Sequence, residues 1–478
     1  MGPYAFSHFA VVATDPMTSS APSQQLPVRG VAIALMAALS TPAWDAQAQE
    51  PSTEGSSRPE SSTSQDAKTD TSPAPLSPAE ELALLELPFL DLMLPSNTQA
   101  FAPRPDHGVF DTRLPGYFRI PATKVFLKIG IGATTAFTVS SKRLGTPTWF
   151  TTSAIPVRGQ PFFHSPGTHS TATANPSDIS LEMRSKTELG PMKLLFNTSF
   201  AQSKPTFGFH PNYAYAQLGG VLAGFTDSTF ADVDAYPSTL DFEGPNALVF
   251  TKRAVARYSH LLSHDKHRRM FLHVAMEQPG SNVPTSAGEP RDMLPDGVVA
   301  WRSEGGWGHL QLAGLVRAVG IQSKDSKDSK TVLGIGGNLT GAYHFAHKHT
   351  LLAGISGGQG LGAYLNDTGG AQYDAALNTA GSLKAIPLLG AYAGFTYAWT
   401  HMLSSTATYG WLKLWDRDLE ASLDAKSFRR SQYASLNLVA KPMKGVLAGV
   451  EGLWGYNRAI DSQSGQAVRG QLTLQYRY

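Results

Sequence analysis

The chain repeatedly alternates apolar and polar side chains with a period of two. In its last eight residues the even positions are Leu472, Leu474, Tyr476 and Tyr478, and the odd ones are Gln471, Thr473, Gln475 and Arg477. The same alternation sets Leu310, Leu312, Gly314 and Val316 against His309, Gln311, Ala313, Leu315 and Arg317. It sets Ile179, Leu181 and Met183 against Ser180, Glu182, Arg184 and Lys186, and Ala434, Leu436 and Leu438 against Tyr433, Ser435 and Asn437. Successive side chains of an extended strand point to opposite faces, so this period predicts strands with one apolar and one polar face.

From Thr123 onward the pattern predicts 16 strands: 123–138, 179–187, 191–201, 207–218, 221–227, 248–262, 268–279, 296–304, 307–321, 331–345, 348–364, 385–399, 401–415, 430–442, 444–458 and 466–478. Their connections alternate in length. Thr187–Gly190, Gly219-Gly220, Ser263–Lys266, Gly305-Gly306 and the neighbourhoods of His347, His401 and Met443 are tight. Those at 139–178, 228–247, 280–295, 322–330, 365–384, 416–429 and 459–465 are long, with a shorter member at 202–206. Tight turns at one end and long loops at the other are the topology of a bacterial outer-membrane barrel. The fold class expected is therefore all-β: a transmembrane antiparallel β-barrel of about 16 strands. Its apolar faces meet lipid, since a charge there costs roughly 2–4 kcal/mol at the membrane midplane. Its polar faces surround a lumen that about 16 strands leave open to water. The even strand number puts both chain ends on the tight-turn, periplasmic side, and a terminal strand closing on Tyr478 suits the last strand of such a barrel, where the barrel-assembly machinery would engage it.

Composition agrees with this reading. Charged residues make up 16% of the chain, Gly numbers 45 and Cys is absent, which excludes disulfides, zinc–thiolate sites and cysteine nucleophiles. No run of about 18 apolar residues provides a transmembrane helix. The start reads as a secretory signal peptide, 1–48: Arg29 is its basic region, Val31–Leu39 its apolar core and Ala46-Gln47-Ala48 its cleavage site, with Met17 an alternative start. Residues 49–95 are expected to form a Pro/Ser-rich periplasmic segment, disordered or carrying a short helix over 78–87 behind the capping pattern Ser77-Pro78-Ala79-Glu80. The barrel takes up 96–478. Residues 1–95 hold 11 of the 37 acidic residues and 3 of the 39 basic ones, leaving 26 acidic and 36 basic in the barrel. That excess of 10 positive charges points to a barrel that handles anions.

The candidate chemistry follows from strand parity. Arg184, Arg253, Arg257, Arg302 and Arg317 fall on inward positions, as do Lys124 and Lys128. A wall of guanidinium groups gives a positive potential and bidentate partners for carboxylates. The alternative for any one of them is pairing with loop acids. The long loop after the fifth strand, 228–247, carries Asp232, Asp234, Asp241 and Glu243, which either face the arginines across the pore or tie the loop to the wall. No His, Asp and Glu spacing suggests a metal site, no cofactor motif is present, and no catalytic residue is assigned. Gly354-Ile355-Ser356-Gly357-Gly358 matches a nucleophile-elbow pattern but lies inside a predicted strand. A barrel-type outer-membrane lipid hydrolase is the alternative function and would need a Ser and a His in register on adjacent strands.

The segment NYAYAQLGGVLAGFTDSTFADVDAYPSTLDFEGPNALVF (212–250) resembles the DcaP-like family of trimeric outer-membrane porins, as do GYFRIPATKVFLKIG (116–130), FTTSAIPV (150–157) and EGGWGHLQLAGLVR (304–317). The most specific piece is TLDFEGPN (239–246). The resemblance implies a 16-stranded homotrimer in the outer membrane, in contact with membrane lipids and lipopolysaccharide, that passes small anionic organic solutes such as carboxylates and dicarboxylates by diffusion. It implies no cofactor, and nothing points to nucleic acid. It places Asp241, Glu243 and Asn246 on the constriction loop and Arg253 and Arg257 on the facing wall.

Overall fold

The computed structural model describes residues 116–478 except 145–148, 166, 204–205, 266–267, 285, 324–327, 347 and 416–422, so the expected signal peptide, the 49–95 segment and its short helix lie outside the described residues. The described chain is a closed antiparallel barrel of 16 long strands. In chain order these are β1 (Val125–Ser140), β2 (Ser177–Thr187), β3 (Gly190–Ser203), β4 (Thr206–Leu218), β5 (Val221–Asp227), β6 (Lys252–His264), β7 (Arg268–Glu277) and β8 (Asp296–Gly305). Then come β9 (Gly308–Gln322), β10 (Ser329–Phe345), β11 (His349–Gln359), β12 (Pro387–Ala398), β13 (Leu403–Leu414), β14 (Phe428–Ala440), β15 (Val446–Ala459) and β16 (Ser464–Arg477).

Each strand pairs with its chain neighbours, and β16 returns to β1 with Gly132 opposite Arg477 and Ser140 opposite Arg469. Closure leaves no long unpaired edge, which a span through lipid requires. Where β16 runs out, Tyr478 exchanges backbone bonds with Ile131, and Phe118–Arg119 carries the ladder on along β1 opposite Phe126 and Leu127. On the other edge of β1 the segment His169–Thr173 extends the line of β2 beyond Asn175-Pro176.

Burial follows the predicted parity. In β9 the residues Leu310, Leu312, Gly314 and Val316 are exposed on the outer wall, and His309, Gln311, Ala313, Leu315 and Arg317 are buried within. In β16 the outward set is Leu472, Leu474 and Tyr476. Two predicted strands overrun at one end by four or more residues. The strand expected over 248–262 begins at Lys252, because Val249 bridges to Leu365 inside the lumen and Phe250 donates to the Tyr364 carbonyl. The strand expected over 348–364 ends at Gln359. Gly360, at φ +73°, turns the chain inward there, and Gly362–Tyr364 forms a 3-10 turn in the lumen.

The inward turn exposes a feature that strand periodicity did not predict. Residues 360–386 fold into the barrel as well as the loop 228–251. The first carries a short hairpin of Ala375–Leu377 with Leu383–Ala385. Together with Phe150, Ile155 and Val157 these insertions fill part of the lumen with apolar contacts, among them Phe230 edge-on to Tyr364 and Phe150 edge-on to Tyr433.

Candidate functional site

Loop 228–251 leaves β5 and lies along the inner surface of β8 to β16. The sequence allows this approach through glycines on the inward face of the wall. A side chain at Gly394 would meet Pro237, one at Gly390 would meet Ala247, one at Gly410 would meet Asn246 and one at Gly449 would meet Leu240, all at 2.8 Å or closer. Real Cβ atoms are not found that close, so these positions on β12, β13 and β15 form the seat of the loop.

Polar contacts fix its root. Glu277 accepts from the Ser228 hydroxyl at 2.7 Å and the Thr229 amide at 2.6 Å. Asp232 takes Arg302 at 3.0 Å, the Thr340 hydroxyl at 2.7 Å and the His309 ring at 3.0 Å. Burial alone would raise the Asp232 carboxyl, but Arg302 and these bonds outweigh it and hold it below the usual carboxylate range. Arg302 also contacts Asp234 at 2.8 Å and Glu304 at 3.0 Å. Asp234 is raised, since its burial outweighs the pull of Arg302.

The far end of the loop holds the TLDFEGPN segment. The Leu240 and Asp241 amides donate to Glu451 at 2.9 and 2.7 Å. The Asp241 carboxylate accepts from the Phe150 amide at 3.1 Å, and the Asn246 side chain donates to Ser431. Asp241 and Glu243 are both raised by burial, and the charges of Asp241 and Asp367 push Glu243 further. Asp367, from the second insertion, accepts from the Thr152 hydroxyl at 2.8 Å, the Ser153 amide at 3.0 Å and the Ser431 hydroxyl at 2.9 Å.

Arg253 and Arg317 belong to a third cluster, near the long-loop end. Arg253 meets Asp296 at 3.1 Å and lies 4.1 Å from the Tyr364 ring centre. Arg317 meets Asp296 at 3.3 Å and Asp374 at 3.1 Å, and the Tyr364 hydroxyl donates to Asp296 at 2.8 Å. Of the five arginines singled out by parity, three thus bind acids that carry or fasten the insertions.

Arg184 and Arg257 lie on the opposite wall, β2 to β7, away from the seat of the loop. They are electrostatic neighbours of Tyr215, and Lys193 lies 5.7 Å from its ring centre. Glu182 sits beside them, 2.7 Å from Arg184 and 3.6 Å from Lys193, and accepts from the Tyr117 hydroxyl at 2.6 Å. Lys252 bonds to Asp227 at 2.6 Å and to Tyr213 at 2.9 Å. Arg184, Lys193, Lys252 and Arg257 against Glu182, Asp227 and Glu277 leave this stretch of wall with one positive charge in excess.

Below the loop a cavity of about 1030 Å³ opens at the tight-turn end. It is lined by loop residues Asp234 and Tyr236–Gly244 and by wall and turn residues that include Arg268, Lys441 and Gln471. Sequence reasoning missed Lys193, Tyr364, Asp367, Asp374 and the strand acids Glu277, Asp296 and Glu451. A signal for the last three exists: each is an acid on inward parity. The glycine run at 357–362 marks where the second insertion begins.

Ser356 of the nucleophile-elbow pattern lies buried in β11 and donates to Asn338 at 2.9 Å. Among the described residues Ser–His pairs stand in register at Ser140–His169, Ser199–His210 and Ser259–His273, and the last pair is joined side chain to side chain at 2.8 Å. Ser259 and His273 face the lumen, and His273 has Arg257, Arg302 and the Phe271 ring as neighbours.

The model for the DcaP outer membrane protein family matches residues 177–478. The crystal structure of the outer membrane channel DcaP of Acinetobacter baumannii is similar in fold, with 18% identity, a TM-score of 0.64, and coverage of 74% of this chain and 97% of that one. The anion-selective porin from Comamonas acidovorans is a more distant match at 9% identity and a TM-score of 0.47, covering 74% of this chain and all of that one. Outer-membrane expressed OmpT of Vibrio cholerae matches at 9% identity and a TM-score of 0.46, covering 75% of this chain and 99% of that one. No curated protein matches the chain.

Proposed function

The chain belongs to the DcaP outer membrane protein family, and from that premise we propose that it is an anion-selective porin for small organic acids, carboxylates and dicarboxylates among them. The observation that carries the proposal is the division of charge across the lumen. Loop 228–251 lies along β8 to β16, and Arg184, Lys193 and Arg257 stand on inward positions of the facing wall, Lys193 fully buried and Arg184 nearly so, so that they act on the lumen through their field. A solute entering from outside passes the insertions and moves along the basic wall. It is drawn by the positive field of these guanidinium and ammonium groups and leaves through the tight-turn cavity to the periplasm. Arg253, Arg302 and Arg317 act through the loops they hold, and Asp234, Asp241, Glu243 and Asn246 give the constriction its shape. The barrel runs without a cofactor or energy input and performs no catalysis. Ser259 and His273 point away from lipid, which argues against the hydrolase reading.

The protein works as a homotrimer, conducting in steps of three. It is inserted by the barrel-assembly machinery through β16 and surrounded by outer-membrane lipids and lipopolysaccharide.

Planar-bilayer recording with a dicarboxylate or a diamine of equal length tests the solute class. The dicarboxylate should interrupt the ion current at millimolar concentration and the diamine should not. Interruption by the diamine alone would overturn the assignment.

A further inference from the structure

The outer wall carries a charge cluster that the pore does not use. Lys413, Arg430 and Arg458 stand in one register row across β13, β14 and β15: Lys413 opposite Arg430, and Arg430 opposite Arg458. Their inward-facing neighbours Leu412, Ser431, Asn457 and Ala459 are buried, so by strand parity the three cations point outward. Neighbouring strands lie about 4.8 Å apart, which places the three backbones within roughly 10 Å. The row lies at the long-loop end of the barrel, at the last residues of β13 and β15 and the first of β14.

The residues below it along each strand form an interface between water and lipid. The next row toward the membrane is Trp411, Gln432, Tyr456 and Gln466, then Tyr409, Ala434, Trp454 and Val468, then Ala407, Leu436, Gly452 and Gly470. Polarity falls over three steps from cations to amphipathic aromatics to an apolar surface. Aromatic rings back the cations: Lys413 lies 4.7 Å from the Trp415 ring centre and Arg430 lies 5.6 Å from that of Tyr456. The Trp454 indole donates to Gln466 at 3.3 Å. Among the described residues no carboxylate forms an ion pair with any of the three, and Arg430 Nε is buried without a hydrogen-bond partner.

We infer that this row is a binding site for the phosphate groups of an outer-leaflet glycolipid of the lipopolysaccharide class, with its acyl chains lying against the apolar rows below. Two guanidinium forks and an ammonium group in one line match a phosphorylated headgroup held at fixed depth. The aromatic belt directly beneath sets that depth where the headgroup meets the acyl chains. A soluble acidic partner would not need the graded apolar surface, and a sister subunit would need acids facing the row. This inference rests on the location in the outer membrane and not on the selectivity of the pore.

The test uses the full-length protein and its Lys413→Gln, Arg430→Gln, Arg458→Gln triple variant, with a conservative Arg430→Lys, Arg458→Lys pair. Native mass spectrometry and titration with purified lipopolysaccharide, the same lipid after phosphate removal, and inorganic phosphate read the binding. The wild type should retain the phosphorylated lipid. The triple variant should bind it roughly tenfold or more weakly, the lysine pair should recover part of the loss, and oligomeric state and conductance should not change. Dephosphorylated lipid should bind wild type and triple variant alike, and inorganic phosphate should not displace the lipid. Equal binding of intact lipid by wild type and triple variant would overturn the inference. So would dissociation of the oligomer in the triple variant, which would make the row a subunit contact. Displacement by inorganic phosphate would also overturn it, reducing the row to an ion site.

Discussion

At the scale of single residues, arginines of one parity take up two different environments. Arg253 and Arg317 share the fully buried Asp296 carboxylate. Removing one member of such a buried set leaves charge without compensation and costs about 3–5 kcal/mol. Asp296→Ala is therefore expected to lower the unfolding free energy by that much, seen as a lower denaturant midpoint, and to make the open-channel current noisy, as the 360–386 insertion loses its hold. A second prediction concerns Asp367. Burial lifts its carboxyl to about 6, against the Thr152, Ser153 and Ser431 bonds that favour ionisation. An unfolded carboxyl titrates at about 3.9, so between about pH 4 and 6 the folded chain binds more protons than the unfolded one. The contribution of Asp367 to stability is complete below that window and is lost as the pH rises through it. Denaturation of wild type and Asp367→Asn across this range should show the wild type losing stability relative to the variant with rising pH. A relative gain would contradict the account.

At the scale of elements, the glycines of β12, β13 and β15 decide how wide the lumen is, because they let loop 228–251 lie against the wall. A methyl group at Gly410 would stand 2.4 Å from Asn246 Oδ1 and 2.9 Å from Pro245. Gly410→Ala is expected to cost about 1–3 kcal/mol by overpacking and to push the loop toward the basic wall, reducing single-channel conductance. An unchanged conductance would show that the loop does not set the pore's width. The strands were legible in the sequence because lipid on one side and water on the other impose a strict period of two. The inward course of loop 228–251 was legible only through family resemblance. The second insertion was not legible: residues 360–364 continue an apolar run, and only Gly360 and Gly362 mark the turn away from the wall. Nor could parity tell Arg257 from Arg253, since both point inward. What separates them is Asp296, a partner 43 residues away from Arg253 in sequence.

At the scale of the whole molecule, the barrel supplies a water-filled passage through the outer membrane, and its selectivity depends on which side of the lumen dominates the field. Asp232, Asp234, Asp296 and Asp374 pair with Arg253, Arg302 and Arg317, and on the facing wall Arg184, Lys193, Lys252 and Arg257 outnumber Glu182, Asp227 and Glu277 by one charge. The most direct measurement is the reversal potential across a planar bilayer under a salt gradient, for the wild type and for Arg184→Glu with Arg257→Glu. The account predicts anion preference in the wild type and its loss or inversion in the double variant, with the barrel still folded and conducting. Cation preference in the wild type, or anion preference untouched by the two reversals, would contradict it.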